Sequence, residues 1–310
     1  MKKTFLEKLE EATEINNSRI CVGLDINKDR FPPPYYDLYK KLLENGKGHC
    51  RRLEDLREDL EIARKKAEII FDFAKDIIDA TKDAACIYKP QAAYYESQGV
   101  AGEIAIRLIV QYILEECDQP VLYDAKRGDI DRTAGQYALA ILEDNTGKRF
   151  EALTVNPYMG VDAVLPFVEY EDKGVIVLCR PSNPGAADMC RVKLESGEYY
   201  FEYVARLAHQ WNTNGNIGLV VGAVSEHLPR EDIERIRQIA SRELALVPGI
   251  GAQEGDLKST VEAISGVDGK SPFIINSSSG ITHASSGPDY KDKAGKACTK
   301  LRDDTNNYLR

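Results

Sequence analysis

Eight short apolar runs recur along the chain, at residues 19–25, 85–90, 121–127, 151–157, 174–179, 217–222, 244–248 and 272–276. Most are separated by segments whose apolar residues return at helical spacing. In 61–82 these are Ile62, Ala63, Ile69, Ile70, Phe73, Ile77 and Ile78. Further helices are expected at 3–16, 100–116, 129–142, 161–168, 198–213, 229–240 and 289–309, the first with Phe5, Leu6, Leu9 and Ile15 as its apolar positions. Strands that are apolar throughout are buried on both faces, and helical crossovers between them make a parallel sheet. Eight such units predict an α/β fold closed as a (β/α)8 barrel. An open doubly wound sheet is the alternative. The barrel is preferred because a charged or polar group follows nearly every run, as on a single functional face.

Residues 26–60 interrupt this alternation. Phe31-Pro32-Pro33-Pro34-Tyr35 reads as stiff and extended, and a highly charged stretch comes next, with a short helix around 37–43. No chemistry is legible there. The segment reads as an insertion after the first strand, and residues 1–310 read as one barrel domain carrying it.

The chemistry concentrates in Val121–Thr133. The run starts apolar, then delivers Asp124 and Lys126, two apart and so on one side of a strand. Gly128 breaks the strand, and Asp129 or Asp131 caps the next helix. A solvated salt-bridge cluster is the plain reading of such charges. A cation held among carboxylates at the carboxyl end of a strand is the functional one. The other strand ends contribute Asp25, Lys89, Asn156, Ser182, Gln253 and the serines at 277–279. No histidine is among them, because His49, His209, His227 and His283 fall in loops or helices, so a Ser-His-Asp triad is unsupported. Asp25 and Asp124 are possible ligands for a divalent metal, but Lys89 and Lys126 compete with one. Charge pairing among the side chains is favoured over a cation site. Gly249-Ile250-Gly251-Ala252-Gln253 and the Ser277–Ile281 run are rich in backbone N–H groups, and after strands 7 and 8 they point to a phosphate site.

Composition narrows the class. The net charge is −9, and no Lys/Arg block concentrates positive charge, which argues against a nucleic-acid surface. Seven cysteines without a C-x-x-C spacing indicate neither a disulfide framework nor a zinc site. Cys21, Cys86 and Cys179 lie in apolar runs and are expected in the core. No stretch approaches the ~20 apolar residues of a membrane span, and no apolar run comes after the N-terminal lysines. A soluble, cytoplasmic protein with no membrane partner is expected.

Asp124, Lys126, Asp129, Ile130 and Thr133 match D-x-K-x-x-D-I-x-x-T, and the run resembles the signature of orotidine 5'-phosphate decarboxylases. Gly23-Leu24-Asp25, Tyr88-Lys89-Pro90-Gln91, Ser182-Asn183-Pro184-Gly185 and Pro248–Gln253 extend the resemblance over residues 20–281, and the 26–60 insertion is similar to that of the longer bacterial subgroup. The resemblance implies a homodimer that turns orotidine 5'-monophosphate (OMP) into UMP and CO2 without metal or organic cofactor. It places Lys89, Asp124 and Lys126 as a charged row beneath the pyrimidine. Asp129 and Thr133 would come from the neighbouring subunit, Asp25 would hold ribose, Ser182 the pyrimidine edge, and Gln253 would bridge phosphate and ring. Gly251, Ser278 and Ser279 would join the phosphate site. One departure stands out. Family members usually carry an arginine for the phosphate just after strand 8, where this chain has Asn276-Ser277-Ser278-Ser279-Gly280-Ile281.

Two alternatives are weighed. Magnesium-dependent sugar-phosphate decarboxylases or synthases of the same superfamily share D-x-K-x-x-D but resemble one another in a metal-binding Glu on strand 2, where this chain has Lys89. A catalytically silent nucleotide-binding protein is disfavoured by the intact Lys89, Asp124, Lys126 and Asp129.

Overall fold

The computed structural model describes residues 3–45, 53–143, 150–250 and 255–309. The eight apolar runs form eight strands: β1 (Ile20–Gly23), β2 (Ile87–Lys89), β3 (Leu122–Arg127), β4 (Ala152–Val155), β5 (Gly174–Arg180), β6 (Ile217–Val221), β7 (Leu244–Val247) and β8 (Phe273–Ser277). They pair in parallel in the order β2-β1-β8-β7-β6-β5-β4-β3. Bridges from Tyr88 to Val121 and from Gln91 to Asp124 join β2 to β3, which closes the sheet into a barrel.

Side-chain alternation sorts each strand into two cores. Cys21, Ile87, Leu122, Ala152, Ile176, Val220, Leu246 and Ile274 fill the barrel interior. Their neighbours Val22, Tyr88, Tyr123, Leu153, Val177, Leu219, Ala245 and Ile275 face outward against the helices. One inward step beyond Ile87, Leu122 and Ala152 come Lys89, Asp124 and Thr154. Polar groups therefore replace apolar ones at the carboxyl end of the barrel, as the strand-end pattern predicts.

The first helix, Phe5–Ile15, plugs the other end. Thr4 and Glu7 cap it reciprocally, with Thr4 N–H donating to Glu7 Oε2 at 2.7 Å. Phe5 and Leu9 pack onto the interior core. Ile15, expected on the apolar stripe, is 61% exposed. The stripe runs through Phe5, Leu9 and Ala12, and Ile15 falls off it by most of a quarter turn.

Two expectations for the region after β1 are corrected. Pro33 and Pro34 are not in an extended stretch but open the helix Pro33–Asn45. Proline's fixed φ suits a first turn, where its missing N–H would have had no partner anyway. The long helix spans Leu53–Thr81 and so begins eight residues earlier than its apolar periodicity predicts. Phe31 packs edge-on to Phe73, ring centroids 5.2 Å apart, and Tyr35 donates to Asp76 at 2.5 Å. Phe73 is fully buried, which is worth about 1.5–3 kcal/mol for such a side chain. Asp76 also receives Lys291 at 2.5 Å from the last helix, Tyr290–Asn307. The segment after β1 is thereby fastened over the β8 side of the barrel mouth.

Candidate active site

The site is built on the last inward positions of β2, β3 and β4. Lys89 Nζ lies 2.9 Å from Asp124 Oδ2, and Lys126 Nζ lies 2.6 Å from Asp124 Oδ1. Thr154 donates its hydroxyl to Asp124 Oδ1 at 2.8 Å and accepts the Lys126 backbone N–H at 2.9 Å. The carboxylate is thus held by two ammonium groups and a hydroxyl. Lys89 and Thr154 are buried, whereas Lys126 projects with 45% of its side chain exposed.

Lys126 does not reach this position by plain strand alternation. The β3–β4 register shifts between Tyr123 and Arg127, so that four steps on β3 span two on β4. Within this bulge Lys126 takes φ = 48°, a left-handed conformation unusual for a residue with a Cβ. Such a conformation costs about 1–3 kcal/mol and persists only when its surroundings hold it. Here the Thr154 hydroxyl does so.

The charges support one another. Burial opposes ionisation of Asp124, but Lys89 and Lys126 outweigh it and hold the carboxyl well below the usual range. Burial likewise opposes charge on Lys89, and Asp124 and then Asp25 outweigh it, keeping the ammonium well above its usual range. Removing one partner of such a buried pair typically costs about 3–5 kcal/mol, because the other charge is left uncompensated.

Beside the row lies a cavity of about 300 Å³ whose lining includes Asp25, Lys89, Asp124, Asn276, Ser278 and Ser279. Asp25 Oδ1 is buried with no hydrogen-bond partner among the described residues. A carboxylate oxygen can only accept, so it calls for a donor such as a hydroxyl. β1 and the β8 loop approach closely. A Cβ at Gly23 would stand 1.9 Å from Ser278 Oγ, so a side chain there would displace the serine.

Four lining residues were not legible as site residues: Asn27, Arg30, Tyr94 and His283. His283 corrects the expectation that no histidine reaches the site. It comes directly after the short helix Ser279–Thr282, and its ring stacks on Phe73 with centroids 5.8 Å apart. Its Nε2 lies 3.0 Å from the Asp25 carbonyl. Burial, with a further push from Arg30, lowers its pKa below the ordinary 6.5 despite the opposing Asp25. Thr154 was missed as well, because only its register beside β3 marks it.

Ser182 is buried after β5, in contact range of Gly222, where an added Cβ would come within 2.5 Å of Ser182 Cβ. It is not among the residues lining the cavity. Gly251 and Gln253 lie outside the described residues. Asp129 does not cap the helix as expected, and neither does Asp131. The helix runs Asp131–Leu142 with Ile130 at its N-cap and no side-chain cap, while Asp129 Oδ1 accepts the Ile130 N–H at 2.8 Å. Asp129 is half-buried and Thr133 exposed, and neither lines the cavity of this chain.

A family model described as Orotidine 5'-phosphate decarboxylase / HUMPS family matches residues 18–291. An orotidine 5'-phosphate decarboxylase of Aromatoleum aromaticum is 40% identical over 307 residues, covering 98% of this chain and 99% of that one. One of Bordetella pertussis is 41% identical over 307 residues, covering 98% of each. Among solved structures, an OMP decarboxylase of Leishmania donovani superposes with a TM-score of 0.75 at 31% identity, covering 99% of both chains.

Proposed function

The chain belongs to the orotidine 5'-phosphate decarboxylase / HUMPS family, and on that premise we propose that it converts orotidine 5'-monophosphate to UMP and CO2 in pyrimidine biosynthesis. The observation that carries the reading is the row of Lys89, Asp124 and Lys126 at the mouth of the barrel, two cations sharing one carboxylate.

Breaking the C6–carboxylate bond releases CO2 and leaves the electron pair on C6. Lys126, as an ammonium, stabilises that charge and then donates its proton to C6. Solvent restores the proton to Lys126, whose exposure permits it. Asp124 faces the departing carboxylate and orients both lysines. Lys89 is too buried to be the proton donor. It fixes Asp124 from below and, with Asp25, meets the ribose hydroxyls, which supply a donor to Asp25 Oδ1, an atom with none among the described residues. Ser182 serves the pyrimidine edge. The segments Gly249–Gln253 and Ser277–Ile281 hold the phosphate, with Gly251, Gln253, Ser278 and Ser279 in that role. Binding energy from the phosphate is then available to the distant reacting carbon.

The working unit in this reading is a homodimer. Asp129 and Thr133 sit at the barrel rim, outside their own cavity, and complete the partner's site beside Lys126 and ribose. The whole chain acts as one barrel unit, with residues 26–60 as an insertion after β1. Among the described residues no helix is long and apolar enough to cross a membrane, and the reading places the protein in the cytoplasm without nucleic-acid partners.

The test is product analysis. Purified protein given orotidine 5'-monophosphate in EDTA should release UMP and CO2 in equal amounts. No UMP under these conditions, or turnover of a sugar phosphate only with magnesium, would overturn the assignment.

A further inference from the structure

We infer that Arg30, from the turn after β1, is the cation that binds the substrate's phosphate monoester. The inference rests on the decarboxylase reading for the identity of the nucleotide, and on the charge arrangement of the barrel mouth for the residue.

A phosphate dianion needs positive charge, which serine hydroxyls and backbone amides supply only as partial dipoles. The cations at the carboxyl ends of the strands are mostly engaged. Lys89 and Lys126 both pair with Asp124. Arg127 pairs with Glu96. Arg180 is fully buried, with its Nε 3.0 Å from Asp232 and its other donors on the carbonyls of Pro181 and His227. Arg30 differs from all of these. It lines the cavity, is exposed, and has no carboxylate partner among the described residues.

Its position is fixed by the β8 loop. Arg30 Nη2 donates to the His283 carbonyl at 3.0 Å. The turn that carries it, Lys28–Arg30, is capped by Asn27 Oδ1, which accepts the Asp29 N–H at 3.0 Å. The backbone before the turn rests on the His283 ring through the Asp25 carbonyl, 3.0 Å from Nε2. One guanidinium nitrogen is therefore anchored, and the rest of a planar, bidentate-capable group is left for the cavity.

The same cavity tells where the anion sits. The Asp25 carboxylate repels a phosphate and attracts hydroxyls. The ribose therefore lies over Asp25 and Lys89, and the phosphate lies toward Ser278, Ser279 and Arg30. The arginine is supplied by the segment after β1 rather than by the strand-8 loop, to which it is bound through His283.

The experiment compares UMP and uridine binding to wild-type, R30Q and R30K proteins, using calorimetry for UMP and NMR titration at millimolar concentration for uridine. R30Q should weaken UMP binding about 10- to 100-fold, the loss of a charge-assisted contact, and leave uridine within about twofold. R30K should fall between R30Q and wild type. The inference is overturned if R30Q binds UMP as wild type does, if it loses UMP and uridine equally, or if the wild-type protein does not bind UMP. The two readings fail separately. Wild-type protein that forms no UMP from orotidine 5'-monophosphate, but discriminates UMP from uridine through Arg30, loses the decarboxylase reading and keeps the phosphate site. Normal turnover with an R30Q variant unchanged in its UMP-to-uridine ratio does the reverse.

Discussion

Replacing Thr154 with valine removes one oxygen from the centre of the site and nothing from its shape. That oxygen makes two bonds, to Asp124 Oδ1 at 2.8 Å and from the Lys126 N–H at 2.9 Å. Valine leaves the part-buried Lys126 amide without its acceptor, a cost of about 1 kcal/mol, the lower end of the range for a donor left unsatisfied. Asp124 keeps both lysines, so the loss on that side is at the lower end for a charged hydrogen bond, about 1.5 kcal/mol. The sum, about 2.5 kcal/mol, corresponds to a fall in Tm of roughly 4 °C for a domain of 310 residues, whose unfolding entropy is about 0.65 kcal/mol/K. The catalytic effect has a separate origin. The lost bond is one that holds Lys126 at φ = 48°. Without it the residue relaxes toward ordinary backbone, and a displacement of about 1 Å at the reacting group costs on the order of 100-fold in rate. The expected result for T154V is therefore a fall of about 100-fold in kcat with KM changed by less than about threefold. T154S keeps the hydroxyl and should recover most of the rate. Steady-state kinetics below the melting temperature of the variant separate the two effects. A T154V enzyme that melts early but retains wild-type kcat would show that Thr154 supports the barrel and does not position Lys126.

The same geometry makes three further outcomes testable. Mixed Asp129→Ala and Lys126→Ala variants, each inactive alone, should regain part of the activity on exchanging subunits, because one site per heterodimer keeps both groups; heterodimers that form and stay inactive refute a role across the interface. Orotidine without its phosphate should be turned over very poorly, since the remote binding energy is gone, and comparable kcat/KM values for the two substrates would contradict this. The buried His283 has a lowered pKa, so between its ordinary 6.5 and its lower folded value the unfolded chain binds a proton that the folded chain refuses. Stability should thus be fully present above pH 6.5 and fall as pH drops through that window, with His283→Gln showing a flatter urea-unfolding profile; an equal slope in the variant rules His283 out as the cause.

Much of this architecture is legible from residue types alone. Runs such as Ile217–Val221 are apolar at every position, and only a parallel sheet covered on both faces buries them so. Asp124 and Lys89 are legible for the opposite reason, as charges at the end of apolar strands. What periodicity does not carry is register. Thr154 looks like one more strand threonine until the β3 bulge sets its hydroxyl between Asp124 and the Lys126 amide, a contact 28 residues apart in sequence. Arg30 and His283 are separated by 253 residues, and neither has a local pattern that marks it. Pro33 and Pro34 illustrate a different limit, since fixed φ suits an extended chain and a helix start alike, and only the residues after them decide. Asp129 and Thr133 do not line the cavity of their own chain, and the role proposed for them lies in the site of a second subunit.

The most direct measurement is the rate of UMP formation from orotidine 5'-monophosphate by wild-type and Lys126→Ala proteins, in EDTA, with folding of both verified by circular dichroism. Proton donation and charge stabilisation by Lys126 predict steady product formation by the wild type and none detectable from the folded variant. A folded Lys126→Ala protein that keeps even about a tenth of the wild-type kcat, a barrier change of only about 1.4 kcal/mol, would contradict the assignment of Lys126 as the group that protonates C6.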